Sequence, residues 1–240
     1  MALIRFFFFF FLLFLLSSCV SKKPVLRTPL EVFKSYDGKK IDNNQLDKFF
    51  EAAQNSDRDA RSVVLQFLSK NLDRFDRVAD FLLSRVALEE DYNAKAIIFE
   101  GLTKWNKKRD VSSAVSSTTS ASSVAVKPKE EQLFSMIDIS NAELKKESRT
   151  ELHIASVRLM ESVFVFAHKN KVSALNEITE KVKQGCLDSF QTSSEVVFSH
   201  TLFCIKSMRD RGVDVSLPSF SNTSKNSLAE LFFNTKVFLQ

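Results

Sequence analysis

The chain has 240 residues, 34 Lys and Arg against 29 Asp and Glu, and a formal net charge of +5. It holds only four Gly and four Pro, too few for the frequent turns of a β-sandwich or barrel and for a glycine-clustered phosphate loop. Gly38, Gly101, Gly185 and Gly212 stand singly, so long helices with short polar joints are expected, in an all-α fold.

The first segment is Met1–Arg5, short and basic, followed by an unbroken apolar run of Phe and Leu over Phe6–Leu16. As a helix that run covers roughly 16 Å, short of a hydrocarbon core of about 30 Å, and extending it backwards meets Arg5. Leu16, Ser17, Ser18 and Cys19 come next, then polar Ser21, Lys22, Lys23 and Pro24. Basic start, apolar run and small-residue cleavage site follow the order of a secretory signal peptide. The small residues directly before Cys19 resemble the lipobox of bacterial lipoproteins. The resemblance covers about twenty residues and departs from the family in its weak basic start. It implies a diacylglycerol on the Cys19 sulfur, cleavage before Cys19, and acylation of the new amine. A lipid with several acyl chains binds a membrane stably. Val20 stands where an Asp would hold such proteins at the inner membrane, which implies the outer membrane of a bacterial envelope, facing the periplasm.

Residues 1–18 are thus expected to be a signal peptide and 19–40 a lipidated flexible tether. The tether carries Pro24, Pro29 and a Tyr36-Asp37-Gly38 turn signal. Its basic residues, Lys22, Lys23, Arg27, Lys34, Lys39 and Lys40 among them, lie close enough to anionic headgroups to contribute about 1 kcal/mol each at best.

A helical unit is expected over 41–110. Asp42 and Gln45 have capping spacing, and Leu46, Phe49, Phe50 and Ala53 follow at helical intervals. A second helix is predicted over Asp57–Lys70 with Ala60, Val63, Val64, Phe67 and Leu68 inward. A third is predicted over 74–88 on Phe75, Val78, Ala79, Leu82 and Leu83, and a fourth over 91–107.

The second and fourth helices match each other. Asp57–Lys70 aligns without gaps on Asp91–Lys104, 34 positions on, with Asp, Ala, Leu and Lys identical and Arg61/Lys95, Val63/Ile97 and Val64/Ile98 conservative. An offset of this size is typical of stacked helical hairpins. The Asp-x-x-Ala-Arg/Lys start resembles the second helix of HEAT-type repeats. That resemblance covers Asp57–Lys104 and implies an α-solenoid-like stack of antiparallel helical hairpins. It also implies that the Asp caps its helix while the basic residue reaches a neighbouring repeat.

Ser112–Ser123 is Ser, Thr, Ala and Val without charge or bulk, too little apolar area to offset ordering entropy. A flexible linker is expected over 111–128 and a second helical unit over 129–240. Ser140…Glu143, Thr192…Glu195 and Ser227…Glu230 resemble capping boxes. The first predicts a long helix from Asn141 to about His168, with Val163–Ala167 central in the core. The next helix is predicted from Ser173 to Gly185, with Gly185 as its C′ residue. One over 195–209 follows, and 228–239 closes the chain.

Chemistry-bearing residues are sparse. His200 and Cys204 share a helix face, a nucleophile pattern without a third orienting group. With Cys19 lipidated, Cys186 and Cys204 form an even pair in an oxidising compartment, the setting for a disulfide. Helix geometry argues against it. A hairpin folding back about residue 192 sets Cys186 opposite residue 198, leaving about 9 Å of axial error to Cys204. His153 and His168 have no partner at metal-ligand spacing. The acidic runs Glu89-Glu90-Asp91 and Glu130-Glu131 fall at helix boundaries. Lys104, Lys107, Lys108 and Arg109 suit a helix C-terminus rather than nucleic acid. Trp105, the chain's one Trp, either packs on the next helix or anchors a partner. No catalytic residue, metal site or cofactor is expected. The expected role is an envelope scaffold with a protein partner and a membrane anchor at Cys19, not an enzyme. The alternatives are an enzyme acting on cell-wall polymer and a mechanical spacer.

Overall fold

A computed structural model describes residues 28, 31–32, 41–55, 57–72, 74–112, 128–146, 149–190, 194–218 and 229. The signal peptide and lipobox, Leu16 to Cys19 included, lie outside the described residues. So do most of the tether, residues 113–127 of the linker, and the closing helix apart from Ala229. The chain divides into two compact units, Met1–Asn55 and Ser56–Gln240. The described residues hold eight helices and no strand. None of those helices is long and apolar enough to cross a membrane.

In the first unit, Thr28 and Glu31 cap one another reciprocally, the Thr28 N–H donating to Glu31 Oε2 at 3.0 Å and the Glu31 N–H to Thr28 Oγ1 at 3.3 Å. The adjoining Val32 is buried. Helix α1 (Asn43–Ala52) starts with a true capping box. The Gln45 N–H donates to Asp42 Oδ1 at 2.7 Å and the Asp42 N–H to Gln45 Oε1 at 3.3 Å. Leu46, Phe49, Ala52 and Ala53 are buried, with Phe50 half-buried beside them.

The second unit contains α2 (Arg58–Lys70), α3 (Asp76–Leu88), α4 (Tyr92–Ser112), α5 (Glu130–Leu144), α6 (Thr150–Asn170), α7 (Leu175–Ser189) and α8 (Glu195–Arg209). Each even-numbered helix packs on the next, α2 on α4, α4 on α6 and α6 on α8. The odd-numbered ones do likewise, α3 on α5 and α5 on α7. The helices on both sides of the Ser-rich segment therefore belong to one unit. Its centre is α6, which also packs on α5 and α7. Val163, Phe164 and Ala167 are fully buried in it and Phe166 nearly so.

Several expectations need correction. The inward face of α2 is built from Val64, Leu65 and Leu68, while Val63 is 51% exposed. The buried stripe is shifted by about one residue from the expected one. No helix runs unbroken from Asn141 to His168. Ser140 and Glu143 sit in the last turns of α5, not at a helix start. The Ser140 hydroxyl donates to the Met136 carbonyl inside the helix at 2.7 Å, and the Glu143 carboxylate accepts from Lys95. The break falls in a polar stretch, with Lys145 as the C-cap of α5 and Arg149 in extended conformation as the N-cap of α6. Helix α8 begins at the predicted Glu195, but its N-cap is Ser194, and Thr192 lies outside the described residues.

Gly185 is not a C′ residue. It lies inside α7, fully enclosed, where a Cβ would run into Asn141 Oδ1 of α5 and come within 2.7 Å of Met160 Sδ of α6. Gly101 does the same for α4, where a Cβ would lie 2.5 Å from the Cβ of Ser69 on α2. Both glycines serve close helix approach. Gly185→Ala is therefore expected to destabilise the protein by about 1–3 kcal/mol through overpacking, although Ala favours helix by about 1 kcal/mol over Gly. Chemical denaturation reads the sign, and a gain in stability would contradict the packing described.

Candidate functional site

The matched helices begin alike. Asp57 accepts from the Ala60 N–H at 3.0 Å, and Asp91 accepts from the Ala94 N–H at 2.8 Å, each satisfying an orphan donor of its helix. Four residues after each Asp stands the basic residue of the motif. Arg61 donates from Nε and from a terminal nitrogen to the two Glu89 oxygens at 2.9 and 3.0 Å. Lys95 donates to Glu143 at 3.3 Å. Glu89 follows the last residue of α3, and Glu143 is next to last in α5. Each even-numbered helix of the matched pair thus grips a carboxylate at the end of the odd-numbered helix that follows it.

The helix starts also meet side by side. Arg58, first in α2, pairs with Asp91 at the start of α4. The Arg149 guanidinium, at the start of α6, lies 5.1 Å from the Tyr92 ring centroid, within cation–π range.

These carboxylates are deeply placed. The Glu89 side chain is 1% exposed and that of Glu143 is 5% exposed. Glu89 also accepts from Arg85 at 2.9 Å and from the Asp91 backbone N–H at 3.0 Å. Burial acts to raise its pKa, but the Asp91 N–H and the two guanidiniums outweigh it and hold the carboxyl below its ordinary range. Glu143 takes Lys146 at 3.5 Å besides Lys95, on Oε2, while its Oε1 is buried without a hydrogen-bond partner.

Both carboxylates line a hollow of about 490 Å³ shared with Leu88, Tyr92, Lys95 and Lys146. Leu88 is 73% exposed and Tyr92 37% exposed. The hollow thus sets an exposed Leu and Tyr beside buried, paired charge.

The other sequence candidates lie apart from it. Cys186 and Cys204 are joined as a disulfide between α7 and α8, with Cα atoms 6.7 Å apart. The axial argument against that pairing placed the fold-back at residue 192. Ser189 meets Thr201 at 2.6 Å and Phe190 stacks on Phe198 with centroids 5.1 Å apart. Cys186 with Cys204 and Ser189 with Thr201 are both centred on residue 195, so the register is displaced towards α8 and the sulfurs meet.

With its sulfur in the disulfide, Cys204 has no thiol to act with His200. His200 is half-buried, its ring centroid 6.5 Å from that of Phe203. Burial first, and then the charge of Arg158, lower its pKa. His153 Nε2 lies 3.1 Å from the Lys146 carbonyl, and the His168 ring lies 5.8 Å from that of Phe164. Among the described residues no cluster of His, Cys, Asp or Glu has the makings of a metal site. Glu130, in the first turn of α5, accepts from the Ser173 N–H at 3.1 Å and from its hydroxyl. Trp105 is 2% exposed and so packed inside. Sequence reasoning read Glu143 only as part of a helix cap and did not single out Tyr92 or Leu88. An exposed Leu between buried neighbours has no distinct sequence signal.

No protein family, no characterised protein and no solved structure matches this chain.

Because the Glu89 pKa is depressed on folding, its contribution to stability is present above the ordinary glutamate value of about 4.3 and is lost as pH falls through the lower folded value. Glu89→Gln is expected to cost about 3 kcal/mol at neutral pH, since it strips one partner from a buried ion pair. It should also flatten the acid limb of the stability–pH curve below about pH 4.3. Urea denaturation across pH measures both, and an acid limb unchanged by the substitution would contradict the assignment.

Proposed function

We propose that this protein is a lipid-anchored bacterial envelope scaffold that binds a protein partner through a helical-repeat surface. The observation that carries the repeat reading is the equivalence of α2 and α4. Both start on an Asp cap, both bury the aligned pairs Val64/Ile98, Leu65/Phe99 and Leu68/Leu102, and both reach a carboxylate at the end of the following helix. The succession of even-on-even and odd-on-odd contacts supports an α-solenoid-like stack of antiparallel hairpins. In such stacks each unit touches only its neighbours and a continuous face is left for binding. The exposed Leu88 and Tyr92, beside a hollow with buried charge, are the partner-facing residues of this reading.

The anchor rests on the lipobox-like Leu16-Ser17-Ser18-Cys19. The diacylglycerol on the Cys19 sulfur, joined by acylation of the new amine after cleavage, holds the body at the envelope surface, facing the periplasm from the outer membrane, with residues 19–40 as the lipidated tether.

Two results are expected. Cys19→Ala moves the protein from the membrane fraction to the soluble fraction. A photo-crosslinking residue at position 88 or 92 captures a discrete envelope protein, and one at position 183 on α7 does not. Equal labelling from all three positions, or membrane association that survives loss of Cys19, would contradict the proposal.

A further inference from the structure

The helices of the second unit end on two shared edges. Arg58 meets Asp91 and Arg149 meets Tyr92, start against start, so α2, α4 and α6 run parallel. Further along, Ser69 meets Gly101 and Asn106 meets Ser162. Glu130 with Ser173 and Asn141 with Gly185 align α5 and α7 in the same way. Arg61–Glu89, Lys95–Glu143 and the pairs Cys186–Cys204 and Phe190–Phe198 set α3, α5 and α7 antiparallel to their even-numbered neighbours. One edge therefore gathers the ends of α2, α4, α6 and α8 with the starts of α3, α5 and α7. At the usual spacing of packed helices it is roughly 25–30 Å long.

Charge is sorted between the edges. This first one exposes Lys70, Arg74, Lys107, Lys129, Lys171 and Arg211. Of the acids there, Asp210 pairs with Lys206 and Glu130 takes Ser173, while Glu131, Glu177 and Asp214 stay exposed. The opposite edge exposes Asp57, Asp59, Glu90, Glu151, Asp188 and Glu195. Of its cations, Arg58, Lys146 and Arg149 are engaged by Asp91, Glu143 and the Tyr92 ring, and Lys145 stays exposed. Helix dipoles account for only part of this. They favour cations at the ends of the even-numbered helices, but disfavour Arg74 and Lys129 beside the starts of α3 and α5. They equally disfavour Glu90 just after α3 and Asp188 in the last turn of α7. These four charges stand against the dipole and add to the sorting by edge.

We propose that the basic edge is a docking surface for an anionic lipid bilayer. Its Lys and Arg side chains lie against the headgroups. The acidic edge, which carries Leu88 and Tyr92, is repelled from them and faces away. That the chain meets a bilayer at all rests on the anchor reading at Cys19; which edge meets it rests on the charges alone. One basic residue near an anionic surface strengthens binding about fivefold at best, so the edge orients the chain that the lipid holds.

The full chain carrying Cys19→Ala is titrated with vesicles of phosphatidylcholine, with and without phosphatidylglycerol, and sedimentation reads the bound fraction. The apolar run Phe6–Leu16 is common to every variant and both vesicle types. The anionic vesicles are expected to bind at least about tenfold more tightly, a gain that molar salt removes. Lys107→Glu with Lys171→Glu should weaken anionic-vesicle binding by at least about tenfold, whereas Lys145→Glu with Lys183→Glu, equal in net charge, should change it less than about threefold. Circular dichroism checks that both variants keep their helices. Equal loss in the two variants reports overall charge and overturns the edge. Equal binding to neutral and anionic vesicles overturns the proposal, and binding of polyphosphate through Lys107 and Lys171 in its place gives the edge to an anionic polymer. Fractionation of cells carrying Cys19→Ala reads the anchor separately, so the two readings fail independently.

Discussion

The second unit depends on how it treats carboxylates at the ends of its odd-numbered helices. A helix C-terminus carries the negative end of the backbone dipole, so an acid there is unfavourable unless cations offset it. Glu89 follows α3 and Glu143 nearly ends α5, and both are removed from solvent. Each is met by two cations, one from its own neighbourhood and one from the start of the preceding helix. Arg85 and Arg61 serve Glu89; Lys146 and Lys95 serve Glu143. An ion pair of this kind contributes modest net stability but strongly penalises any arrangement that separates the partners. Each pair thereby links an even-numbered helix to the end of the helix that follows it.

Further along the chain the fastening changes character. The α7–α8 hairpin has no equivalent buried ion pair among the described residues. It is held by the Cys186–Cys204 disulfide, the Ser189–Thr201 hydroxyl pair and the Phe190–Phe198 contact. Between these ends, α6 buries Leu152, Val157, Leu159, Met160, Val163 and Phe164 among its neighbours, and Gly185 lets α7 approach α5 and α6 at close range.

Much of the helical order was legible because it rests on local rules. The Asp42, Asp57 and Asp91 caps and the inward residues of α3 follow from capping chemistry and a 3.6-residue period. What failed rests on information that local patterns lack. A Ser-x-x-Glu spacing reads the same at the start of a helix and near its end, so Ser140 and Glu143 were assigned to the wrong terminus. A lone Gly serves equally as a C′ residue or as a point of close approach, and only the neighbours Asn141 and Met160 decide for Gly185. The register of α7 on α8 depends on the geometry of the turn, which put Cys204 beside Cys186 after all. At the candidate site, Lys95 was visible as the partner of Arg61 in the alignment. Its acceptor Glu143 lies 48 positions on and no sequence rule connects them.

The account stands on α2 and α4 being two instances of one structural unit, each locked to the helix that follows it. Double-mutant cycles on Arg61–Glu89 and on Lys95–Glu143, read by equilibrium unfolding, test this most directly. Equivalent units predict favourable coupling in both pairs, each above about 1 kcal/mol. Coupling in one pair with none in the other would show that the matched helices are alike in sequence but not in structural role.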